Sequence, residues 1–185
     1  SPQKGLHNAI ALAEKLDRQL IIAAKLDERD KEYFEERIKP HLSEKILWVG
    51  EVDEDERNQL MARALCFLHP VEWYEPFGLT LIEAMACGAP VIAYRRGSIP
   101  EVVAHGKTGF VVNSVNAMAK AVNMLEKIDR KTCRRYALTK FTIERMTDDY
   151  EIVYQAILAG KHNPYRKSSN GHPLTEDGEQ FRSSV

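Results

Sequence analysis

Short apolar runs alternate with amphipathic segments along most of this chain. The mostly apolar runs predict strands over residues 19–24, 45–49, 65–69, 90–94 and 109–112. These runs lack the alternation of apolar and polar residues that marks a strand with one exposed face, so both faces of each strand are expected to be buried. Apolar residues at helical spacing predict helices over residues 6–16, 28–42, 53–65, 78–87, 99–105, 114–128, 131–141 and 143–159.

The alternation of strands and helices predicts an α/β fold. Crossover helices between successive strands imply a doubly wound parallel sheet with helices on both faces. Sheets of this kind bind ligands at the carboxyl ends of their strands. We expect one domain over residues 1–160. Residues 161–185 are rich in Pro, Ser, Asn and Gly and are expected to form a polar, disordered tail.

Composition excludes several classes of partner. The formal net charge is -1, which provides no general attraction to nucleic acid or to an anionic membrane. We recognise neither a signal peptide nor an apolar run long enough to span a bilayer. Cys66, Cys87 and Cys133 cannot all pair within the chain. Two of them lie in apolar runs, so we expect buried free thiols and a cytoplasmic protein, with a peripheral position at the inner face of the membrane left open for a full enzyme.

The segment after the third predicted strand carries the candidate chemistry. The strand ends at His69, Pro76 stiffens the following loop, and Gly78 allows a tight turn into a helix. The first turn of a helix has unpaired N–H groups and the positive end of the helix dipole, so it favours an anion. A phosphate is therefore expected against the amides of residues 77–80, which are Phe77, Gly78, Leu79 and Thr80.

Two glutamates in this segment are candidates for ligand contacts. Glu83 is the only ionisable residue between residues 77 and 93. Its carboxylate is placed to accept hydrogen bonds from two ribose hydroxyls, or it has a structural role, in which it caps a neighbouring turn or pairs with an arginine. Glu75 lies in the loop and either meets the hydroxyls of a bound sugar or is solvated.

At this point the sequence resembles a known family. Glu75-Pro-Phe-Gly-Leu-Thr-Leu-Ile-Glu83 resembles the E-x7-E motif of the family 4 retaining glycosyltransferases, of the glycosyltransferase group 1 type. Residues 84–93 match the strand entry that follows this motif, and residues 96–103 and 106–111 resemble the next two landmarks. Ser1-Pro-Gln-Lys-Gly5 is similar to the end of the family's phosphate-binding segment. The resemblance covers roughly residues 1–160.

The resemblance implies a GT-B fold, in which two Rossmann-like domains face each other across a cleft. This chain matches the carboxy-terminal domain, which holds the nucleotide sugar. Glu83 would bind the ribose, Glu75 would lie near the transferred sugar, and Lys4 would meet the diphosphate. The amides of Phe77, Gly78, Leu79 and Thr80 would contact sugar and phosphate. The turn over residues 49–52, which includes Gly50 and Val52, would face the base.

The implied reaction is glycosyl transfer with retention at the anomeric carbon. For this family a same-face route is favoured, in which the leaving phosphate takes the acceptor's proton. Lys25 follows the strand over residues 19–24 and is either a cation that steadies the leaving diphosphate or a strand-end lysine whose stem packs on the surface.

Other candidate sites are set aside. Asp53-Glu54-Asp55 fits a metal-binding D-x-D pattern, but Asp53 and Glu56 also form a capping box at a helix start. The histidines show no metal-ligand spacing, and no G-x-G-x-x-G follows a strand. We therefore expect neither a metal nor a cofactor, with the nucleotide sugar as substrate.

The resemblance also implies parts that this sequence does not include. Family members have a strand and a Gly-Arg pair before the segment matched by residues 1–5, and an amino-terminal domain that binds the acceptor. The further strand would be central in the sheet, between those ending at Ala24 and His69. The alternative to an enzyme is thus a non-catalytic fragment or split-gene subunit that binds nucleotide weakly or acts with a partner chain.

Overall fold

The computed structural model of this protein describes residues 1–160. The predicted disordered tail, residues 161–185, lies outside the described residues. The chain divides into two compact units, Ser1–Thr139 and the residues from Lys140 onward. The domain boundary expected at residue 160 stays a prediction.

Within the described residues, five short strands form two parallel sheets. They are β1 (Leu20–Ala23), β2 (Ile46–Gly50), β3 (Phe67–His69), β4 (Val91–Tyr94) and β5 (Gly109–Val112). One sheet consists of β1 and β2, and the other has the order β3-β4-β5. The predicted doubly wound α/β class is confirmed. The strands thus form two separate sheets, whereas the resemblance implied a further strand between those ending at Ala24 and His69.

Eight α-helices and several 3-10 turns connect the strands of residues 1–160. The helices are α1 (Leu6–Leu16), α2 (Lys31–Arg37), α3 (Glu54–Arg63), α4 (Leu79–Ala86), α5 (Ile99–Val102), α6 (Val115–Val122), α7 (Arg130–Lys140) and α8 (Ile143–Leu158). The 3-10 turns span Pro2–Lys4, Glu28–Asp30, Lys39–His41 and Leu125–Lys127.

Three helices are shorter than predicted. The helix expected over residues 28–42 is reduced to α2 between two 3-10 turns, because Pro40 lacks a backbone N–H and disfavours helical geometry before it. The helix expected over residues 114–128 ends at Val122, since Asn123 is a poor helix former. The helix expected over residues 99–105 ends at Val102, because the Thr108 hydroxyl accepts a hydrogen bond from the Ala104 N–H.

Burial follows the strand pattern in the sheet of β3, β4 and β5. Every residue of β4 is buried, and Val91, Ile92 and Ala93 have no exposed surface. A smaller core joins α1 to the other sheet through Ile10, Ala13, Ile22, Ile38 and Ile46. β4 is therefore covered on both faces, as predicted. The same prediction is wrong for β1 and β2, where Ile21 and Val49 are exposed.

The three cysteines are free, but their burial differs from the prediction. Cys66 and Cys87 lie in apolar runs, yet both are half-buried, because each stands at the end of an element rather than within it. Cys133 is fully buried in α7, where burial raises the pKa of its thiol to about 11. The most buried thiol, that of Cys133, was therefore not recognised as buried, because its neighbours in the sequence are polar.

Two arginines of α7 hold the carboxyl ends of α3 and α4. The Arg130 guanidinium donates to the carbonyl oxygens of Ala62 and Ala64, both at 2.7 Å. Arg134 donates to the carbonyl oxygen of Ala86, the last residue of α4. The last carbonyls of a helix have no partner within it and carry the negative end of its dipole. An arginine at the carboxyl end of α3 and another at that of α4 therefore both supply hydrogen-bond donors and place positive charge at the negative end of the dipole.

We expect Arg130→Ala to lower the free energy of unfolding by about 1–3 kcal/mol, because it leaves the exposed Ala62 carbonyl and the partly buried Ala64 carbonyl without their charged donor. Urea unfolding of the variant measures this loss. Arg135→Ala is the matched control, since Arg135 is exposed on the same helix and bonds to Thr132 there. Its expected loss is within about 0.5 kcal/mol. Equal losses in the two variants would contradict the capping role.

Candidate functional site

The loop between β3 and α4 is held from behind by the residues that follow β4. The Ser98 N–H donates to the carbonyl oxygen of Glu75 at 2.9 Å, and its hydroxyl donates to the carbonyl oxygens of Glu75 and Phe77, both at 3.0 Å. Gly97 has a left-handed φ of +54°, and a Cβ there would stand 2.2 Å from the Glu75 oxygen. Only glycine fits this position. The landmark over residues 96–103 therefore fixes the backbone of the motif loop.

Glu75 turns its side chain into the protein and is 8% exposed. The Trp73 indole N–H donates to its Oε2 at 3.0 Å, and Nε2 of His69 lies 3.4 Å from the same oxygen. A buried carboxyl group needs such polar neighbours, since without them its burial costs several kcal/mol. Glu75 is thus not a solvated loop carboxylate, and its contact with a sugar stays a prediction.

His69 is the buried neighbour of this carboxyl group, at the carboxyl end of β3. Burial lowers the pKa of His69 below its ordinary value of 6.5. The negative charge of Glu75 opposes this shift, and the positive charge of Lys4 adds to it. The net direction is downward, so the structure favours a neutral imidazole beside Glu75.

Lys4 reaches the same loop from the amino-terminal segment. Its Nζ lies 4.2 Å from the centroid of the Trp73 ring, within the range of a cation–π contact. Gly5 has a φ of +69°, and a Cβ there would stand 1.9 Å from the carbonyl oxygen of Pro70. The 3-10 turn Pro2–Lys4 is therefore seated directly against the motif loop. The structure brings Lys4 and Glu75 to the same loop, although they lie far apart in the sequence.

The predicted anion site coincides with the start of α4. Gly78 has a φ of +86° and is the N-cap, and no side chain caps the helix there. The side chains of Phe77, Leu79 and Thr80 are exposed. The first N–H groups of a helix have no partner inside it, and the dipole adds partial positive charge. Phosphate or sugar contacts by these amides stay a prediction.

Glu83 faces α3 and meets Arg57. Its Oε1 lies 3.7 Å from Arg57 Nη2, which is the arginine pairing that the sequence left open. Among the described residues, however, neither Oε2 of Glu83 nor Nε of Arg57 has a hydrogen-bond partner, although both atoms are buried. The ion pair is therefore incompletely satisfied. The ribose contact predicted for Glu83 is neither required nor excluded by it.

Lys25, Gly50 and Val52 lie at the carboxyl edge of the other sheet. Gly50 ends β2 with a φ of +79°, and its carbonyl accepts from the Ala24 N–H at 2.8 Å. Lys25 follows directly and is exposed, whereas Val52 is half-buried. The structure thus brings these three residues to one sheet edge, separately from the group around Glu75. Their contacts with base and diphosphate stay predictions.

Sequence reasoning did not find Arg57, or Glu72 with its partners His7 and Asn8. His7 and Asn8 lie 65 and 64 residues before Glu72. Contacts across such separations leave no periodic trace in one sequence. Arg57 lies four positions after Asp53 in a charged helix, where an arginine facing inwards has no distinguishing signal.

The D-x-D pattern is a helix cap, as predicted. Asp53 Oδ1 accepts from the Glu56 N–H at 2.8 Å, and Glu56 Oε2 accepts from the Asp53 N–H at 3.4 Å. Over residues 1–160, no cluster of three or more histidine, cysteine or acidic side chains is arranged to hold a metal ion. In the same range, every helix falls short of the length and apolar character needed to cross a membrane.

We expect acid to destabilise the protein through His69. Because its pKa is lowered on folding, the unfolded chain binds more protons than the folded chain below about pH 6.5, and stability falls as the pH falls. Urea unfolding at about pH 7.5 and about pH 5.5 should show a smaller loss for His69→Gln than for the wild type. His41→Gln alters an exposed histidine and is not expected to reduce the loss. An unchanged pH dependence in His69→Gln would contradict the assignment.

Comparison with known proteins identifies the family. The family model described as glycosyl transferases group 1 matches residues 1–139. The N-acetyl-alpha-D-glucosaminyl L-malate synthase of Bacillus anthracis is 32% identical over 131 residues, which cover 66% of this chain and 34% of that protein. The chain spans about a third of the length of the curated relatives it matches.

Solved structures show the same fold. Sucrose-phosphate synthase from Thermosynechococcus elongatus matches with a TM-score of 0.74 and 26% identity, covering 86% of this chain and 44% of that one. Anabaena HepE in complex with UDP and glucose matches with a TM-score of 0.73 and 24% identity, covering 84% and 46%. The parallel sheets and their helices thus form a Rossmann-like α/β unit like that of GT-B glycosyltransferases. Together with the match over residues 1–139, these similarities show that the chain belongs to the glycosyl transferases group 1 family.

Proposed function

We propose that this chain binds the nucleotide-sugar donor of a retaining glycosyltransferase, as the carboxy-terminal half of a GT-B enzyme. The observation that carries the proposal is the meeting of Glu75, Trp73 and Lys4 directly before the uncapped start of α4. This arrangement offers a carboxyl group for sugar hydroxyls and positive charge for a diphosphate. Membership of the family and the UDP bound by Anabaena HepE support a nucleotide donor.

Each part of the donor is assigned to one part of the site. Lys4, Lys25 and the amides at the start of α4, from Phe77 to Thr80, bind the diphosphate and the adjoining sugar. Glu75 contacts the transferred sugar, and Glu83 accepts hydrogen bonds from the ribose. The turn that includes Gly50 and Val52 faces the base. In this assignment the cations and the helix dipole stabilise the negative charge that develops on the leaving group, which is the main electrostatic demand of the reaction.

The proposed reaction is a same-face displacement. The bond between the anomeric carbon and the diphosphate oxygen breaks, the acceptor oxygen bonds to that carbon from the same face, and the leaving phosphate takes the acceptor's proton. The anomeric configuration is retained, although no protein carboxylate acts as nucleophile as it does in retaining glycosidases. This scheme uses neither a resident cofactor nor a catalytic metal.

The whole enzyme in this proposal has an amino-terminal domain that binds an acceptor. The three free cysteines support a reducing compartment, so we place the reaction in the cytoplasm, including its face of the membrane. In this proposal the acceptor is selected by that amino-terminal domain.

We expect Glu83→Ala, made in the full-length enzyme, to weaken binding of the nucleotide sugar by about tenfold, since it removes two charge-assisted hydrogen bonds to the ribose. Isothermal titration against several nucleotide sugars first identifies the donor and then measures this loss. A donor affinity equal to that of the wild type would rule out the ribose role.

Two controls separate a ligand contact from a structural one. Arg57→Leu removes the other half of the ion pair and keeps the Glu83 carboxylate, so it should bind donor more tightly than Glu83→Ala. Equal losses in both variants would mean that Glu83 acts only as the partner of Arg57. Glu126→Ala alters an exposed glutamate outside the site and is expected to bind as the wild type does.

A non-catalytic role for the isolated chain is the second candidate. It is favoured by the division of the strands into two separate sheets and by the third of the Bacillus anthracis relative's length that the chain spans. We expect the 185-residue chain alone to transfer no sugar and to bind nucleotide sugars poorly. Incubation with a panel of labelled nucleotide sugars tests this, and turnover by the isolated chain would contradict it. The full-length enzyme, assayed in parallel, is the positive control.

A further inference from the structure

The amino-terminal segment and the motif loop are fastened together by Glu72. Its backbone N–H donates to the carbonyl oxygen of Gln3 at 2.9 Å. Its Oε1 accepts from Asn8 Nδ2 at 2.9 Å and lies 3.2 Å from His7 Nε2. We call Glu72, His7 and Asn8 the Glu72 latch. Gln3 precedes Lys4 and the other two partners follow it, so Glu72 holds the chain on both sides of Lys4.

His7 contacts both other members of the Glu72 latch through one ring nitrogen. Its Nε2 lies 3.2 Å from Glu72 Oε1 and 3.2 Å from Asn8 Nδ2, so it donates to the carboxylate in one tautomer and accepts from the amide in the other. Its Nδ1 lies 3.1 Å from the Tyr33 hydroxyl, which joins α2 to the same network. His7 therefore has a partner on each ring nitrogen and one defined orientation.

The Glu72 latch lies outside the core. The Glu72 side chain is 49% exposed and that of His7 is 33% exposed. The buried residues of α1 come after His7 and Asn8 in the sequence; they are Ala9, Ile10, Leu12 and Ala13. Removing the Glu72 carboxylate therefore leaves the packing of α1 intact, and exposed polar contacts of this kind contribute little to global stability. The local effect falls on the segment that carries Lys4.

The amino-terminal segment determines the position of the Lys4 ammonium group. Gly5 is pressed against Pro70, and the Lys4 ammonium lies over the Trp73 ring, whose N–H is bonded to Glu75. Lys4 itself is exposed, and a free lysine side chain samples many rotamers. Its position over Trp73 thus depends on the backbone being held close to the motif loop.

We propose that Glu72, through His7 and Asn8, is a positioning residue that holds Lys4 over Trp73, where Lys4 meets the donor diphosphate; the last clause rests on the function proposed above. Glu72 touches neither sugar nor phosphate in this scheme. It acts on the donor through the placement of Lys4.

The first test measures the position of Lys4 in the 185-residue chain without any ligand. Protons of the Lys4 ε-methylene lie near the face of an indole, so their NMR resonance is expected upfield of other lysines. We expect Glu72→Ala to return it to the common lysine position, and Glu72→Gln, whose amide oxygen still accepts from Asn8, to keep it upfield. Glu126→Ala is the control and should leave it unchanged. An upfield resonance that persists in Glu72→Ala overturns the proposal.

The second test asks whether Glu72 and Lys4 act on the diphosphate as one unit. The full-length enzyme is titrated with UDP, GDP and ADP and with the matching nucleoside monophosphates. We expect Lys4→Ala and Glu72→Ala each to weaken nucleoside diphosphate binding by about tenfold, with a smaller effect on the monophosphate. The double variant should bind no more weakly than Lys4→Ala, because both changes remove one contact.

The outcomes separate this inference from the proposed function. Losses that multiply in the double variant mean that Glu72 acts independently of Lys4 and overturn the positioning role. A wild type that binds none of the three nucleoside diphosphates contradicts the proposed function. The NMR result then decides alone whether Glu72 positions Lys4.

Discussion

The loop between β3 and α4 has one shape because Glu75 is buried within it. Its carboxyl group needs polar partners inside the protein; Trp73 donates a hydrogen bond to it, and His69 Nε2 lies 3.4 Å from the same oxygen without forming one. Its carbonyl oxygen is held by Ser98, and Gly97 approaches so closely that no side chain fits. The order of the loop therefore comes from side chains and backbone atoms of three separate segments. Everything proposed for the donor site depends on this loop keeping its shape.

Features encoded locally were predictable from the sequence. The apolar run of β4 and the capping box of Asp53 each depend on neighbours a few residues away, and both were found. The motif from Glu75 to Glu83 was recognisable because its residues are consecutive. Long-range polar contacts were not predictable, because the contact of Glu72 with His7 follows from the folded chain alone. Helix ends were missed for a related reason, since the contact that ends α5 comes from a threonine beyond it.

The ion pair between Glu83 and Arg57 is incomplete, and this has an energetic cost that a fully hydrogen-bonded pair would not have. A separation of 3.7 Å with one buried oxygen and one buried nitrogen unpaired leaves polar atoms without compensation. Because Oε2 of Glu83 is buried, it is not open to a ligand in this structure. Arg57 therefore orients the carboxylate toward α3 without satisfying it fully.

The longer helices of the described residues are of two kinds, those with a side-chain cap at the start and those without one. In four of the longer helices a side chain at the start accepts hydrogen bonds from the first N–H groups. These side chains are Asp53 for α3, Ser114 for α6, Asp129 for α7 and Thr142 for α8. The two others, α1 and α4, begin at Gly5 and Gly78, both with left-handed φ and no side-chain cap. Lys4 directly precedes the glycine at the start of α1, and the motif loop directly precedes the one at the start of α4. A side-chain cap at α4 would occupy the N–H groups that an anion needs, so glycine there supplies both the turn and the vacant donors. At the other end of α4, Arg134 satisfies the last carbonyl. The carboxyl end of α4 is thus neutralised within the fold, whereas its amino end has no side-chain cap.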